Sequence, residues 1–189
     1  MSFDRATLSN LMSKSLTEPR LTFRRILASG SGLSVSLSAL VLVAVLSALI
    51  SSLFSLISSP LGNPEMDRLL AQPLRLAALQ LLGMGIIAGL ITGLGRLFGG
   101  TGRFDQAVLL VAWLEFLMIA LQLALILVML ALPGLGGLLL LLCGGLVLWL
   151  FANAVAELHG FQSALTTLAA VLGFVMLIGV LLTLILPAQ

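Results

Sequence analysis

The sequence predicts an all-α membrane protein, a five-transmembrane-helix bundle with a short amphipathic cytosolic N-terminal arm. Three observations predict it. Hydrophobic residues fill 60% of the 189 positions and charged residues only 8%, too little polar surface to disperse a soluble domain of this size. The apolar residues gather in stretches long enough to cross a hydrocarbon layer, which takes roughly 20 residues at about 1.5 Å each. Those stretches, LVLVAVLSALI and LLLLLCGGLVLWLF among them, are apolar throughout. Barrel strands alternate instead, whereas a helix closes its backbone hydrogen bonds within itself.

Residues 1–32 form the arm and 33–189 the membrane domain. In the arm, Leu8, Leu11, Met12 and Leu16 recur at helical spacing, so a short helix lies at the cytosolic membrane surface. Glu18-Pro19 ends it, because a residue before proline avoids the α region. Arg20, Arg24 and Arg25 then make a basic cluster just inside the membrane, read first as a topology determinant and second as a holder of anionic lipid head groups.

The first span, Leu33–Ile57, repeats serine every four residues at Ser47, Ser51 and Ser55, with Ala44, Ala48 and Ser52 alongside. Small residues at that spacing let a second helix approach closely. The connection SSPLGNPEMDRLLAQP holds three of the six prolines and reads as an ordered external loop with a partial interfacial helix around Met66–Ala71. The second span, Leu74–Phe98, carries Gly85, Gly89 and Gly93 on one face. That stripe is expected to pack against another helix of the same chain, with a homodimer contact as the alternative.

The third span, Phe104–Leu132, places Glu115 near the bilayer midplane, with Gln122 one heptad later on roughly the same face. An ionised carboxylate is costly there, so Glu115 should be neutral, paired or hydrated. A polar cluster of Glu115, Gln122 and Gln80 inside the bundle follows, read as interhelical hydrogen bonding in preference to a proton or substrate relay. LPGLGG turns tightly outside, the fourth span covers Leu135–Ala156, and Glu157–Gln162 turns inside. The fifth span, Ser163–Leu186, closes at Pro187.

Orientation follows from the basic residues. Arg5, Lys14, Arg20, Arg24, Arg25, Arg96 and Arg103 lie on the amino-terminal side, and only Arg68 and Arg75 on the other. The positive-inside rule puts the amino terminus in the cytosol, and an odd number of spans puts Gln189 outside. The charged arm ahead of Leu33 lacks a small-residue cleavage pattern, so the first span is expected to remain in the mature chain.

Nothing in the sequence argues for catalysis. Glu157 and His159 fall short of the three or four ligands of a zinc site. GGTG at Gly99–Gly102 lacks the Lys-Ser/Thr of a phosphate loop, and no strand precedes it. Cys143 is the single cysteine, which excludes an internal disulfide. No cofactor is expected, a bound lipid apart, and no nucleic-acid partner.

Two segments beside the cytosolic turns, LFGGTGRFDQAVLLVAWLEF and FANAVAELHGFQSALTTLAAVL, together with the arm TEPRLTFRRIL, carry a resemblance. The chain resembles bacterial members of the Yip-domain family, relatives of Ypt/Rab-interacting multi-pass membrane proteins. The resemblance covers essentially the whole chain and rests on Pro19, Gly99, Gly100, Gly102, Phe104, His159 and Gly160. It implies five spans, an internal amino terminus and no catalytic residue. Eukaryotic relatives bind Rab GTPases, but this short arm lacks an extended acidic or aromatic segment, so Rab binding is not carried over. One lysine against eight arginines, with abundant Ala, Leu and Gly, suits a GC-rich bacterium and hence an inner membrane.

The expected function is therefore non-enzymatic: organising or accompanying membrane lipids and other membrane proteins, or further copies of itself, through helix contacts. A small transporter or channel-like protein with Glu115 in a midplane polar site is the alternative. An intramembrane enzyme using Glu157 and His159 ranks third.

Overall fold

Proline, asparagine and glycine set where the helices begin and end. The computed structural model describes residues 5–57 and 63–185, and every regular element among them is helical. After α1 (Arg5–Thr17), Pro19 occupies the first turn of α2 (Pro19–Ala28), where its fixed φ and missing N–H cost nothing. Gly30, at φ 65°, turns the chain into α3 (Leu33–Ile57). The short α4 (Pro64–Leu70) starts at Asn63, whose Oδ1 accepts the backbone N–H groups of Glu65 at 3.1 Å and Met66 at 3.3 Å.

Proline again opens α5 (Pro73–Leu97). At the start of α6 (Phe104–Ala131), the Gln106 side chain accepts the Arg103 N–H at 3.2 Å. A single 3₁₀ turn at Pro133–Leu135 leads into α7 (Gly136–His159). Ser163 Oγ accepts the Thr166 N–H at 3.2 Å at the head of α8 (Ala164–Ile185).

The five long helices lie close to the apolar stretches, but α7 runs past the expected Ala156 as far as His159. Four of them (α3, α5, α6 and α7) are long and apolar enough to cross a membrane. In α8 the apolar stretch with described side chains is the shorter Ala164–Gly173. Residues 58–62 of the proline-rich connection and the closing Pro187 lie outside the described residues.

The arm's first helix ends ahead of Glu18-Pro19 as expected, and Pro19 also starts a second helix, α2. The arm is thus a helix pair packed on the bundle, with Phe23 fully enclosed and Met12 against the main core. One expectation is corrected, the contact within the chain through Gly85, Gly89 and Gly93. A Cβ built at any of them meets nothing within 4 Å, so the stripe is not a contact within the chain among the described residues. The face of α5 that packs is one position over, through Met84, Ala88, Thr92 and Gly95. A helix advances about 100° per residue, so adjacent small-residue rows cannot face the same neighbour.

The core forms where α3, α5 and α6 meet, with α7 closing its side and α8 packed chiefly on α7. Five alanines, Ala44, Ala88, Ala107, Ala112 and Ala154, sit among larger side chains such as Leu40, Val108 and Leu158. In lipid no hydrophobic force drives helices together, and such small residues let backbones approach closely enough for van der Waals packing. Ser47 is buried in this way on α3, and Ser51 is half-buried. The arm, the α5–α6 turn and the α7–α8 turn all gather at one end of the bundle.

Candidate functional site at the arm end of the bundle

Two turns at this end are built alike. At the end of α5, the Gly100 N–H returns to the Gly95 carbonyl at 2.8 Å and the Gly99 N–H to Arg96 at 3.0 Å. At the end of α7, the Phe161 N–H returns to Ala156 at 2.8 Å and the Gly160 N–H to Glu157 at 3.4 Å. Gly99 and Gly160 stand at φ 81° and 72°, the left-handed position that such helix ends reserve for glycine.

His159 joins the two turns. Only 3% exposed, it lies across the α5–α6 turn. Its Nδ1 accepts the Gly102 N–H at 3.2 Å, and its Nε2 lies 3.1 Å from the Ile91 carbonyl. One nitrogen must accept and the other donate, which fixes a neutral imidazole with the proton on Nε2. A Cβ at Gly95 or Gly100 would overlap the ring, and one at Gly102 would stand 2.7 Å from Cε1. Three absent side chains therefore make the slot that the imidazole fills. Phe161 stacks on its outer face, centroids 5.4 Å apart. Arg96 Nε donates to the Gly102 carbonyl at 3.2 Å and steadies the same loop.

The arm is fastened beside this clasp. Arg20 donates from Nη1 to the Gln162 carbonyl at 2.7 Å and from Nη2 to Phe161 at 2.6 Å. Arg24 grips Glu157 with both ends of its fork, Nε to Oε1 at 2.6 Å and Nη2 to Oε2 at 3.4 Å. The enclosed Arg20 Nε has no hydrogen-bond acceptor, yet it lies 3.4 Å from Glu157 Oε2, near enough for charge attraction. The Glu157 side chain is only 9% exposed, against 68% for Arg24. The hydrogen bond to Glu157, and then its charge, hold the Arg24 guanidinium above its ordinary pKa. Further along, Trp113 Nε1 donates to Ser15 Oγ at 3.1 Å and ties α6 to α1.

Of the residues singled out from sequence, Gly100, Gly102 and His159 converge here, with Gly99 and Gly160 shaping the two turns and Arg20 and Arg24 fastening the arm beside them. Arg25 is exposed, and Phe104 is exposed at the head of α6. Glu115 and Gln122 are half-buried on α6, and Gln80 is half-buried on α5 with its Oε1 enclosed and unbonded. Among the described residues no hydrogen bond joins those three.

Sequence reasoning missed Glu157 as the anchor of the arm, having weighed it only as a partner for His159 in metal or catalytic chemistry. Its signal was present: Arg20 and Arg24 sit four apart, on one face of any helix, and a lone carboxylate stands at the α7–α8 turn. Among the described residues no three His, Cys, Asp or Glu side chains come together.

No curated protein and no solved structure matches the chain. A family model does match, that of the Yip1 domain, over residues 13–185. The matched region runs from within α1 to the end of α8, so it takes in the docked arm, both glycine turns and the histidine between them. The chain belongs to the Yip1 domain family.

Proposed function

We propose that this protein is a non-enzymatic, five-span membrane protein that organises or accompanies other membrane components through helix contacts. The amino terminus and the clasped end face the cytosol, and the carboxy terminus lies across the membrane. The arginine-rich composition favours a bacterial inner membrane as its place. In this reading α8 is the fifth crossing, its 22 residues being long enough to span.

The observation that carries the proposal is the open face of α5. Gly85, Gly89 and Gly93 present a groove without side chains that no described part of the chain fills, and close backbone approach is how such grooves are used in lipid. The non-enzymatic part draws on the arm end. Both ring nitrogens of His159 and both carboxylate oxygens of Glu157 are engaged by the chain itself, which leaves neither placed to act as a general base.

Glu115 is read as structural in preference to a relay, because a relay recruits several acids or histidines along its path and Glu115 is the one acid near the middle of any expected span.

The test is cross-linking in membranes. In a Cys143→Ser background, Gly89→Cys should give a covalent adduct with a second copy or a neighbouring membrane protein, whereas a cysteine at exposed Leu82 should give much less. A Gly89→Cys protein that stays wholly unlinked would contradict the proposal.

A further inference from the structure

Between α2 and the α7–α8 turn lies an open recess of about 590 Å³, lined by Arg20, Arg24 and Glu157 with Leu21, Phe161 and Gln162 completing its walls. We infer that this recess binds the phosphate of an anionic lipid head group from the leaflet on the arm side. The inference rests on the membrane placement proposed above and is independent of what the α5 face contacts.

Charge is the first argument. Two guanidinium groups face one carboxylate, and that carboxylate is nearly enclosed while Arg24 is largely exposed. Glu157 therefore fixes the arginines in position more than it cancels them for a ligand arriving from outside.

Donor counting is the second. A guanidinium carries five N–H groups. Arg24 gives two of them to Glu157, and Arg20 gives two to the carbonyls of Phe161 and Gln162. The exposed remainder of the Arg24 fork is a preformed partner for the oxygens of a phosphate, which arginine meets bidentately.

The walls are the third. Leu21 is exposed and Phe161 half-buried, so apolar surface borders the charged floor. A free phosphate ion has no use for such a wall, whereas the glycerol and first methylenes of a lipid do. Rigidity completes the case: α2 is held by the buried Pro19, Thr22 and Phe23, so the arginines project from an element that does not need to be ordered on binding.

The experiment uses the full chain in nanodiscs of phosphatidylcholine with a minority of phosphatidylglycerol, followed by native mass spectrometry of the lipid it retains. Phosphatidylglycerol should be retained over phosphatidylcholine, and Arg24→Gln should lower that preference several-fold. Arg24→Lys keeps the charge but loses the fork and should lower it as well. Arg25→Gln removes the same charge from the next residue, which lies outside the recess, and should leave retention unchanged. Inorganic phosphate added to pure phosphatidylcholine discs should not be retained.

Equal loss from Arg24→Gln and Arg25→Gln would reduce the effect to bulk charge and overturn the inference. Full retention by Arg24→Lys, no head-group preference in the wild type, or retention of inorganic phosphate in place of lipid would overturn it too. Thermal unfolding of each variant confirms that it is folded. Arg24→Gln is expected to fold because that side chain lies at the surface.

Discussion

The imidazole of His159 occupies space left by three absent β-carbons, and its two nitrogens are bonded to backbone on different sides of the α5–α6 turn. Removing it leaves a void and an unpaired Gly102 N–H together. His159→Ala should therefore destabilise the protein by about 2–4 kcal/mol, read as a lowered unfolding temperature in detergent or nanodiscs. A companion pair separates the clasp from general glycine effects. Gly95→Ala drives a methyl into the ring and should cost about 1–3 kcal/mol. Gly93→Ala, two residues earlier on the open row, should be neutral or stabilising by about 0.5–1 kcal/mol because alanine is the better helix former. Equal effects at the two positions would dissolve the clasp as an explanation. The sequence marked Gly99, Gly100, Gly102, His159 and Gly160 as turn residues, through a resemblance. It did not say that the histidine fills the glycine loop, because a contact spanning 57 positions leaves no trace in local spacing.

At the scale of elements, the arm behaves as a docked helix pair. Its attachment combines the enclosed Phe23, the Trp113–Ser15 hydrogen bond and the arginines around Glu157. Glu157→Gln removes the charge that holds both arginines while keeping a similar shape. Trypsin should then cut faster after Arg20, Arg24 and Arg25, and amide exchange in α2 should speed up relative to α6. Unchanged cleavage and exchange would mean that packing alone secures the arm. Raised salt should mimic the variant only weakly, since screening acts on the exposed Arg24 more than on the enclosed carboxylate. The start of α2 was legible in principle. Pro19 reads equally as the end of one helix and the first turn of the next, and only the second sense exposes the Arg20–Arg24 face. On α5 the expected contact row ran through Gly85, Gly89 and Gly93, while the adjoining row through Ala88, Thr92 and Gly95 was not singled out. Glycine content favoured the first, whereas packing used the second. In an almost wholly apolar helix, periodicity does not rank one face above another.

For the whole molecule, composition and stretch length were enough to locate the long helices, because a membrane leaves few other ways to satisfy a backbone. What they left open was how the ends are joined, since that depends on a few polar groups in short turns. The structure gathers Arg20, Arg24, Arg96 and Arg103 at one end of the bundle, with α4 and its Arg68 on the connection between α3 and α5. In the proposed orientation that end is the cytosolic one, as the positive-inside rule expects.

The proposed topology has an odd number of crossings with the clasped end inside. The most direct measurement fuses alkaline phosphatase, and separately green fluorescent protein, after Gln189 and after Gln162 in a bacterial host. Phosphatase should be active only at Gln189 and fluorescence should appear only at Gln162. Fluorescence at Gln189 with inactive phosphatase there would contradict the account.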